Sequence, residues 1–412
     1  MFQRKVFNRA TNLNKIIPFL VVALLSLFNF SHASPNPTKE PIIIGIDADM
    51  SGVAKVGGQA IYRGARIAID KINANGGLLG RELQLEVKDH RGNPARGIKN
   101  IEALASNPNV VAVIGGVHTP VALAELPTIH EKEILYLGAW AAGTSIVENN
   151  YYPNYVFRVS VRDSDAGEVL VKSAKERGLN KIALVLERTG WGRSNQASIK
   201  AAAEKYQIEI THIAWINWRQ TDFTNEMATT LATKPEALLL VSNAPEGAIV
   251  AKNMIKSNAN LPLISHWGIA GGKFVELLGF DNLQKLDVSV LQSFHFEKNL
   301  ENSVSQHLFK QYQKTFSQSE TTYSVEAAVG VAQSYDIVNI LAKAIANAQS
   351  AERSDVRQAM YSVTHYEGAI KTFAPAFEPQ KHDALVNADY FMTQFNSKGH
   401  LVPVEQVMQP NL

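Results

Sequence analysis

Cysteine is missing altogether from the 412 residues. The chain therefore has no disulfide, no thiolate nucleophile and no cysteine-ligated metal, and a fold of this size must be held by its cores. Beyond the first thirty or so residues there is no apolar run approaching membrane-spanning length. Neither a low-complexity stretch nor a repeat of about 20–50 residues is present. The eleven histidines are scattered, with no metal-ligand spacing, and no metal or other cofactor is expected. The G-x-S-x-G elbow, H-E-x-x-H, the P-loop and G-x-G-x-x-G are all absent. These absences argue against an enzyme and for a binding protein.

Charge of one sign is also lacking, with 40 basic side chains against 38 acidic ones. Four of the basic ones, Arg4, Lys5, Arg9 and Lys15, precede "IIPFLVVALLSLFNF" and then "SHAS". A basic start, a short apolar run and a small-x-small site at Ser31 and Ala33 read as a secretory signal peptide over residues 1–33. Its removal takes four positive charges and no negative ones, so the mature net charge is −2. Nothing advertises nucleic acid or an anionic membrane as a partner. An exported, cysteine-free chain suits the periplasm.

What is present is alternation. "IIIGI" at 42–46 reads as a buried parallel strand. A helix from Gln59 follows, with Ile61, Ala65, Ala68 and Ile72 on one stripe and Gly76–Gly77 at its end. Strand and helix signals then alternate to a strand at Ile134–Leu137. After "VFRVSVRDSD" a second series of the same order runs from a helix at Ala166–Arg177 to a strand at Leu261–Ser265. It includes a strand at Glu209–Ile213. A long apolar-striped helix is expected around Val325–Ala346, and a β-like part at 388–396 closes the chain. Two α/β lobes with doubly wound parallel sheets are the expected architecture.

Ligands bind such sheets beyond the carboxyl ends of the strands. Those ends read "DADMSG", "GGVHTP", "GAWAAGT", "ERTGWG", "SNAPEG" and "SHWG", and they hold Trp140, Trp191 and Trp267, three of the five tryptophans. Large rings among small residues at strand ends either fill a core or face a ligand. In "DADMSG" the carboxylates of Asp47 and Asp49 stand at i and i+2, one face of a strand. Such a pair is conceivable in a hydrolase, but a local role ordering the turn is the better reading.

"PIIIGIDADMSG", "RGARIAIDKINANGGLLGRELQLEVKDHRGNPARG", "VVAVIGGVHTPVALAELP" and "YVFRVSVRDSDAG" together resemble the branched-chain amino acid (leucine/isoleucine/valine)-binding proteins of ABC transporters. The resemblance covers nearly the whole mature chain in order. It implies a type I periplasmic-binding fold, with two lobes joined by three crossing segments and a ligand held between them. Lobe I is then expected at 40–160 plus about 296–365, and lobe II at 161–295 plus about 366–412.

Carried over by position, the resemblance makes Thr119 the hydroxyl that opens the third helix and holds a ligand carboxylate. "GAWAAGT" supplies the second set of contacts. Trp140 stands where the family has a small residue, and Ala142 where it often has threonine. Backbone N–H groups of Ala141 and Ala142 remain, and Thr144 replaces the lost hydroxyl if the loop slips by two. Trp191 matches a family aromatic, whereas Trp267 stands in place of the glutamate that binds an ammonium. Asp49 or Glu187 is left to substitute for it.

Trp140, Trp191 and Trp267 are expected to form an aromatic box. His118 either bonds its loop or touches the acid, and His266 is similar. Tyr151, Tyr152 and Arg188 are weaker candidates, and Asp89 orders its turn.

The function implied is the periplasmic solute-binding component of an ABC importer, monomeric, presenting its ligand to a permease. The favoured ligand is an aromatic or apolar carboxylate. The alternatives are an amino acid of the family's usual kind, a quaternary ammonium compound, or a sensing role beside a separate membrane partner.

Overall fold

The computed structural model describes residues 39–404; the predicted export segment lies outside them. Two parallel-sheet lobes follow each other along the chain. In the first, strands β1 (Ile42–Ala48), β2 (Leu83–Asp89), β3 (Val110–Gly115), β4 (Leu135–Gly138) and β5 (Val156–Arg158) pair in the order β2-β1-β3-β4-β5. All four pairings are parallel. Helices α1 (Lys55–Ala74), α2 (Pro94–Ala105), α3 (Thr119–Glu131) and the single turn α4 (Thr144–Val147) connect them. Strands such as Val110–Gly115 are buried along their whole length, which only a sheet covered on both faces requires.

The second lobe runs through α5 (Asp163–Glu176), β6 (Lys181–Glu187), α6 (Gly190–Tyr206), β7 (Glu209–Ile216), α7 (Thr224–Ala232), β8 (Ala237–Val241), α8 (Ala244–Lys256) and β9 (Leu263–Ser265). A 3-10 turn at Trp267–Gly271 leads to the short helices α9 (Phe274–Leu278) and α10 (Phe280–Leu283), then to β10 (Val288–Gln292). The chain returns to the first lobe as α11 (Ser303–Thr315), α12 (Ala328–Ala348) and α13 (Arg353–Ala359). A small hairpin, β11 (Tyr366–Glu367) and β12 (Thr372–Phe373), precedes β13 (Phe391–Phe395) and β14 (Leu401–Pro403). These last two strands join the second sheet, whose order is β14-β13-β10-β9-β8-β6-β7. They run antiparallel, so this sheet is mixed at one edge rather than wholly parallel.

Three segments cross between the lobes: Val159–Arg162, Ser293–Asn302 and Asp383–Tyr390. Arg158, fully buried at the first crossing, donates to Asp383 at the third (2.5 Å) and to the carbonyls of Ala141 (3.2 Å) and Gly143 (2.9 Å). A buried guanidinium is tolerable only when so paired.

Several helices begin two to four residues before the positions expected from periodicity: α3 at Thr119, α5 at Asp163, α6 at Gly190, α8 at Ala244. Their apolar stripes start only after the first turn. Most first-turn residues are small or polar, and Thr119 of α3 and Trp191 of α6 face the space between the lobes.

Helix α1 packs on α12 through Gly64, where a Cβ would stand 2.0 Å from the Val331 carbonyl oxygen. Gly64→Ala sets two effects against each other. Helix propensity favours alanine by about 1 kcal/mol, but backbone overlap at that distance forces the helices apart, which typically costs about 1–3 kcal/mol. The clash wins, so urea unfolding of Gly64→Ala should show a lower midpoint than the parent; an equal or higher one rejects this packing.

Candidate functional site

A narrow cavity, with room for about one water molecule, lies where the strand ends of both lobes meet. Its walls are Val117, His118, Thr119, Pro120, Trp140 and Ala142 from the first lobe, and Trp191, Trp218, Asn243, Trp267 and Gly268 from the second. Thr119 is the first residue of α3, Trp191 lies in the first turn of α6, and Asn243 is the N-cap of α8. Three helix N-termini therefore converge here, each carrying a positive partial charge.

The question raised by Trp140 has a double answer. Gly57 of α1, Gly330 of α12 and Gly271 approach its ring so closely that a Cβ at each would lie 3.0 to 3.4 Å away. Any larger residue there would displace the indole. Its other neighbour is Trp267, with ring centroids 5.2 Å apart and planes inclined by 38°. Trp140 is thus packed like core on lobe I and faces the cavity beside a tryptophan of lobe II.

The other aromatic members are held from behind by buried carboxylates. His118 Nε2 stands 3.0 Å from Asp49 Oδ2. The Trp191 indole N–H donates to Asp163 Oδ1 (3.2 Å), which His266 Nε2 also approaches at 3.2 Å. The Trp218 indole N–H donates to Glu187, whose other oxygen accepts from the backbone N–H (2.6 Å) and side-chain amide (2.9 Å) of Asn243. Burial raises the Asp49 carboxyl. The hydrogen bond and charge of His118 and the N–H groups of Ala54 and Gly52 outweigh it, leaving Asp49 below the ordinary aspartate value. Glu187 goes the other way, pushed up to about 8 by burial and by the nearby Glu246 against the pull of its donors. His90, packed edge-on to His118 at 5.7 Å, is pushed down to about 3, chiefly by burial and next by the charge of His118.

Of the residues expected at the site, the structure brings together Thr119, Trp140, Ala142, Trp191, Trp267 and His118. Asp49 and Ala141 do not reach the cavity. Both Asp49 oxygens are taken by the N–H of Gly52 (2.6 Å), the N–H of Ala54 (3.0 Å) and His118. Ala141 turns into the outer core of lobe I, its N–H donating to Gly116 (3.3 Å) and its carbonyl accepting from Arg158.

The Gly143 N–H is also spent, on Thr119 Oγ1 (3.1 Å). Fewer backbone donors therefore face the cavity than the sequence promised. Thr144 Oγ1 accepts from the Ser164 N–H (3.1 Å) and lies outside. Asp47 and Asp49 do not share a face, because β1 ends at Ala48; Asp47 accepts from Asn100 (2.7 Å) instead. Glu187 is screened by Trp218 and Asn243. Tyr152 is 97 % exposed and Tyr151 stacks on His130, both away from the cavity. Arg188 covers the Trp215 ring instead.

Trp218 is the wall residue that the sequence reading missed. With β7 read as ending at Ile213, "WINW" fell in mid-loop. The strand continues to Ile216, so Trp218 stands at a strand end like the other three. Among the described residues no group of three or more His, Asp and Glu is placed to hold a metal, and no helix is long and apolar enough to cross a membrane.

A family model described as periplasmic binding protein matches residues 41–400. The Leu/Ile/Val-binding protein BraC3 of Rhizobium johnstonii is 25% identical over 262 residues, which span 63% of this chain and 68% of that protein. In fold the chain is similar to a periplasmic binding protein type 1 from Bordetella pertussis Tohama I. That likeness has TM-score 0.80 and 20% identity, covering 88% of this chain and 100% of that one. It is also similar to an ABC transporter solute-binding protein of R. palustris in complex with 4-hydroxybenzoate, with TM-score 0.72 and 17% identity over 88% and 95% of the two chains.

The state of Glu187 sets a pH signature. An acid whose folded value is raised binds more protons folded than unfolded, so it makes stability fall as pH rises between the two values. Glu187 therefore takes stability away across the window from its ordinary 4.5 up to about 8. Relative to wild type, Glu187→Gln should gain stability as pH is raised through that window, read by urea unfolding at several pH values. A pH-independent difference would mean that Glu187 does not titrate there.

Proposed function

The chain belongs to the periplasmic binding protein family, and on that premise we propose that it is the solute-binding component of an ABC importer specific for a flat aromatic or apolar carboxylate. The observation that carries this reading is the wall itself: four tryptophans, three helix N-termini and not one acidic residue among the cavity-lining groups. A buried α-ammonium would need a carboxylate partner. The three carboxylates nearest the wall are turned to His118, Trp191 and Trp218.

The acid end of the ligand belongs at His118 and Thr119. Asp49 holds the His118 ring by Nε2, which leaves Nδ1 to serve a ligand carboxylate when the ring is protonated. The α3 N-terminus, which no side chain caps, adds its partial charge. The body of the ligand belongs between Trp140 and Trp267, replacing their mutual contact with stacking on both sides. One ring comes from each lobe, so occupancy draws the lobes together, and a hinge of three segments permits that motion.

The closed, loaded form is what a permease in the inner membrane reads, and the protein works as a periplasmic monomer. The lobes divide at residues 160/161 and 295/296 and, later than the expected 365/366, within Asp383–Tyr390, because Tyr366, Ala369 and Ile370 are bound to Asp336 of α12. The R. palustris protein, of similar fold, holds 4-hydroxybenzoate, which makes that compound the first probe.

A second reading is an amino acid ligand of the kind the name of BraC3 announces. It is favoured by one observation: Asp163 Oδ2 is buried without a hydrogen-bond partner. An ammonium would reach it only by displacing Trp191.

Calorimetry on the purified mature protein separates the two. 4-Hydroxybenzoate should bind, and Trp267→Ala should weaken it by roughly 2 kcal/mol, about thirtyfold in Kd. His118→Gln should lower affinity for the acid more than for the corresponding methyl ester. Binding of leucine or valine with no response to 4-hydroxybenzoate would reject the aromatic-acid reading.

A further inference from the structure

We propose that a second cavity, on the far side of the Trp267–Gly271 turn, is a separate binding site for an uncharged apolar molecule. This cavity opens to solvent on one side and is many times the size of the tryptophan-lined one. The turn is a shared wall: Trp267 and Gly268 face the small cavity, Ile269, Ala270 and Gly272 the large one. No residue lines both.

The chemistry of the walls points to the ligand class. Phe274, Phe294 and Val325 are buried and, with Phe395 and Leu401, make an apolar lining suited to a flat or branched hydrocarbon body. His400 Nδ1 is buried behind this lining and is not offered to an occupant.

The other imidazole, His295, has both nitrogens engaged, one at the Leu401 carbonyl (2.8 Å) and the other accepting from the Glu297 N–H (3.2 Å). Burial pushes it down to about 4, so it carries no charge at neutral pH. The charges that line the cavity are Lys273, Glu276 and Glu326, all toward its mouth, with Lys273 already paired to Glu326 (2.6 Å). No cation is left for an anionic ligand, and a carboxylate entering there meets two carboxylates. A neutral compound avoids that repulsion.

Both lobes build the site. Phe274 and His400 belong to elements of the second sheet's lobe, and Val325 and Ala328 lie at the start of α12, which packs on α1 of the first. An occupant therefore bridges the lobes beside the hinge segment at Gln292–His295. It also fixes one face of the turn whose other face presents Trp267.

The site stands apart from the aromatic-acid reading, and its test uses a probe that reading does not predict. Thymol, a phenol with an apolar body, is titrated calorimetrically into the mature protein beside p-isopropylbenzoate, which replaces the hydroxyl by a carboxylate. Thymol should bind, and p-isopropylbenzoate should bind at this site about tenfold more weakly. Ala328→Phe and Val325→Phe, which fill the cavity, should each weaken thymol about tenfold or more. Trp267→Ala should leave it within about twofold. No thymol binding by wild type, or loss in Trp267→Ala with both cavity variants unaffected, overturns the site. Equal affinity for the anion at this site overturns the ligand class.

Discussion

A buried carboxylate behind each of three rings of the small cavity, His118, Trp191 and Trp218, is the constraint on which the site depends. Asp49 fixes His118, Asp163 fixes Trp191 and Glu187 fixes Trp218. A ring that can rotate offers a ligand no defined face, and stacking is worth only about 0.5–1.5 kcal/mol per pair. Orienting the rings before the ligand arrives removes that entropic loss from binding. Burying three acids is costly, and the fold offsets it locally. Asp49 takes two loop N–H groups as well as the histidine, and Glu187 takes two from Asn243. Because these oxygens are consumed by the protein, the wall shows the ligand aromatic faces and helix N-termini rather than negative charge.

The same logic of internal consumption reaches the hinge. The small-residue segment after β4 is threaded between Thr119 and Arg158: the Gly143 N–H goes to the hydroxyl, its carbonyl to the guanidinium. Arg158 also joins the first crossing to the third through Asp383. The backbone at Ala141–Gly143 is thereby rigid on the hinge side, and Ala142 alone of the three lines the cavity.

The two-lobe α/β plan was legible because continuous apolar strands alternate with amphipathic helices, a pattern that survives errors of a few residues at each boundary. Three cavity tryptophans were legible because they stand just beyond such strands. Trp218 was not, because β7 is only partly buried and its buried positions, Ala214 and Ile216, come only at its end. The role of Asp49 was half legible: the turn it orders is visible in "DADMSG", but its bond to His118, 69 residues away, has no sequence signal. Nor could spacing show that the N–H groups of Ala141 and Gly143 are spent at Gly116 and Thr119. Long-range hydrogen bonds decide which donors are left for a ligand, and they are what a single sequence hides.

Among the described residues the contacts across the cleft are individually weak; His118 meets Trp218 with ring centroids 5.2 Å apart, and the Thr144 N–H donates to Ser194 Oγ at 3.3 Å. Trp140 meets Trp267, an interaction of about 0.5–1.5 kcal/mol beyond area burial. Lys273 meets Glu326 with both side chains about half exposed, and such pairs contribute roughly 0–1 kcal/mol. Gly272 comes close to the Val53 carbonyl, an approach that only glycine allows without displacing the loop. Contacts of this size leave open and closed forms within a few kcal/mol of each other, the balance in which a modest ligand shifts the population decisively. A tighter latch would close the cleft without cargo, and bulkier residues at Gly272 or Gly271 would hold it apart. These close glycine approaches and the exposed Lys273–Glu326 pair keep closure close to balance, so that the ligand's own stacking area determines which form prevails.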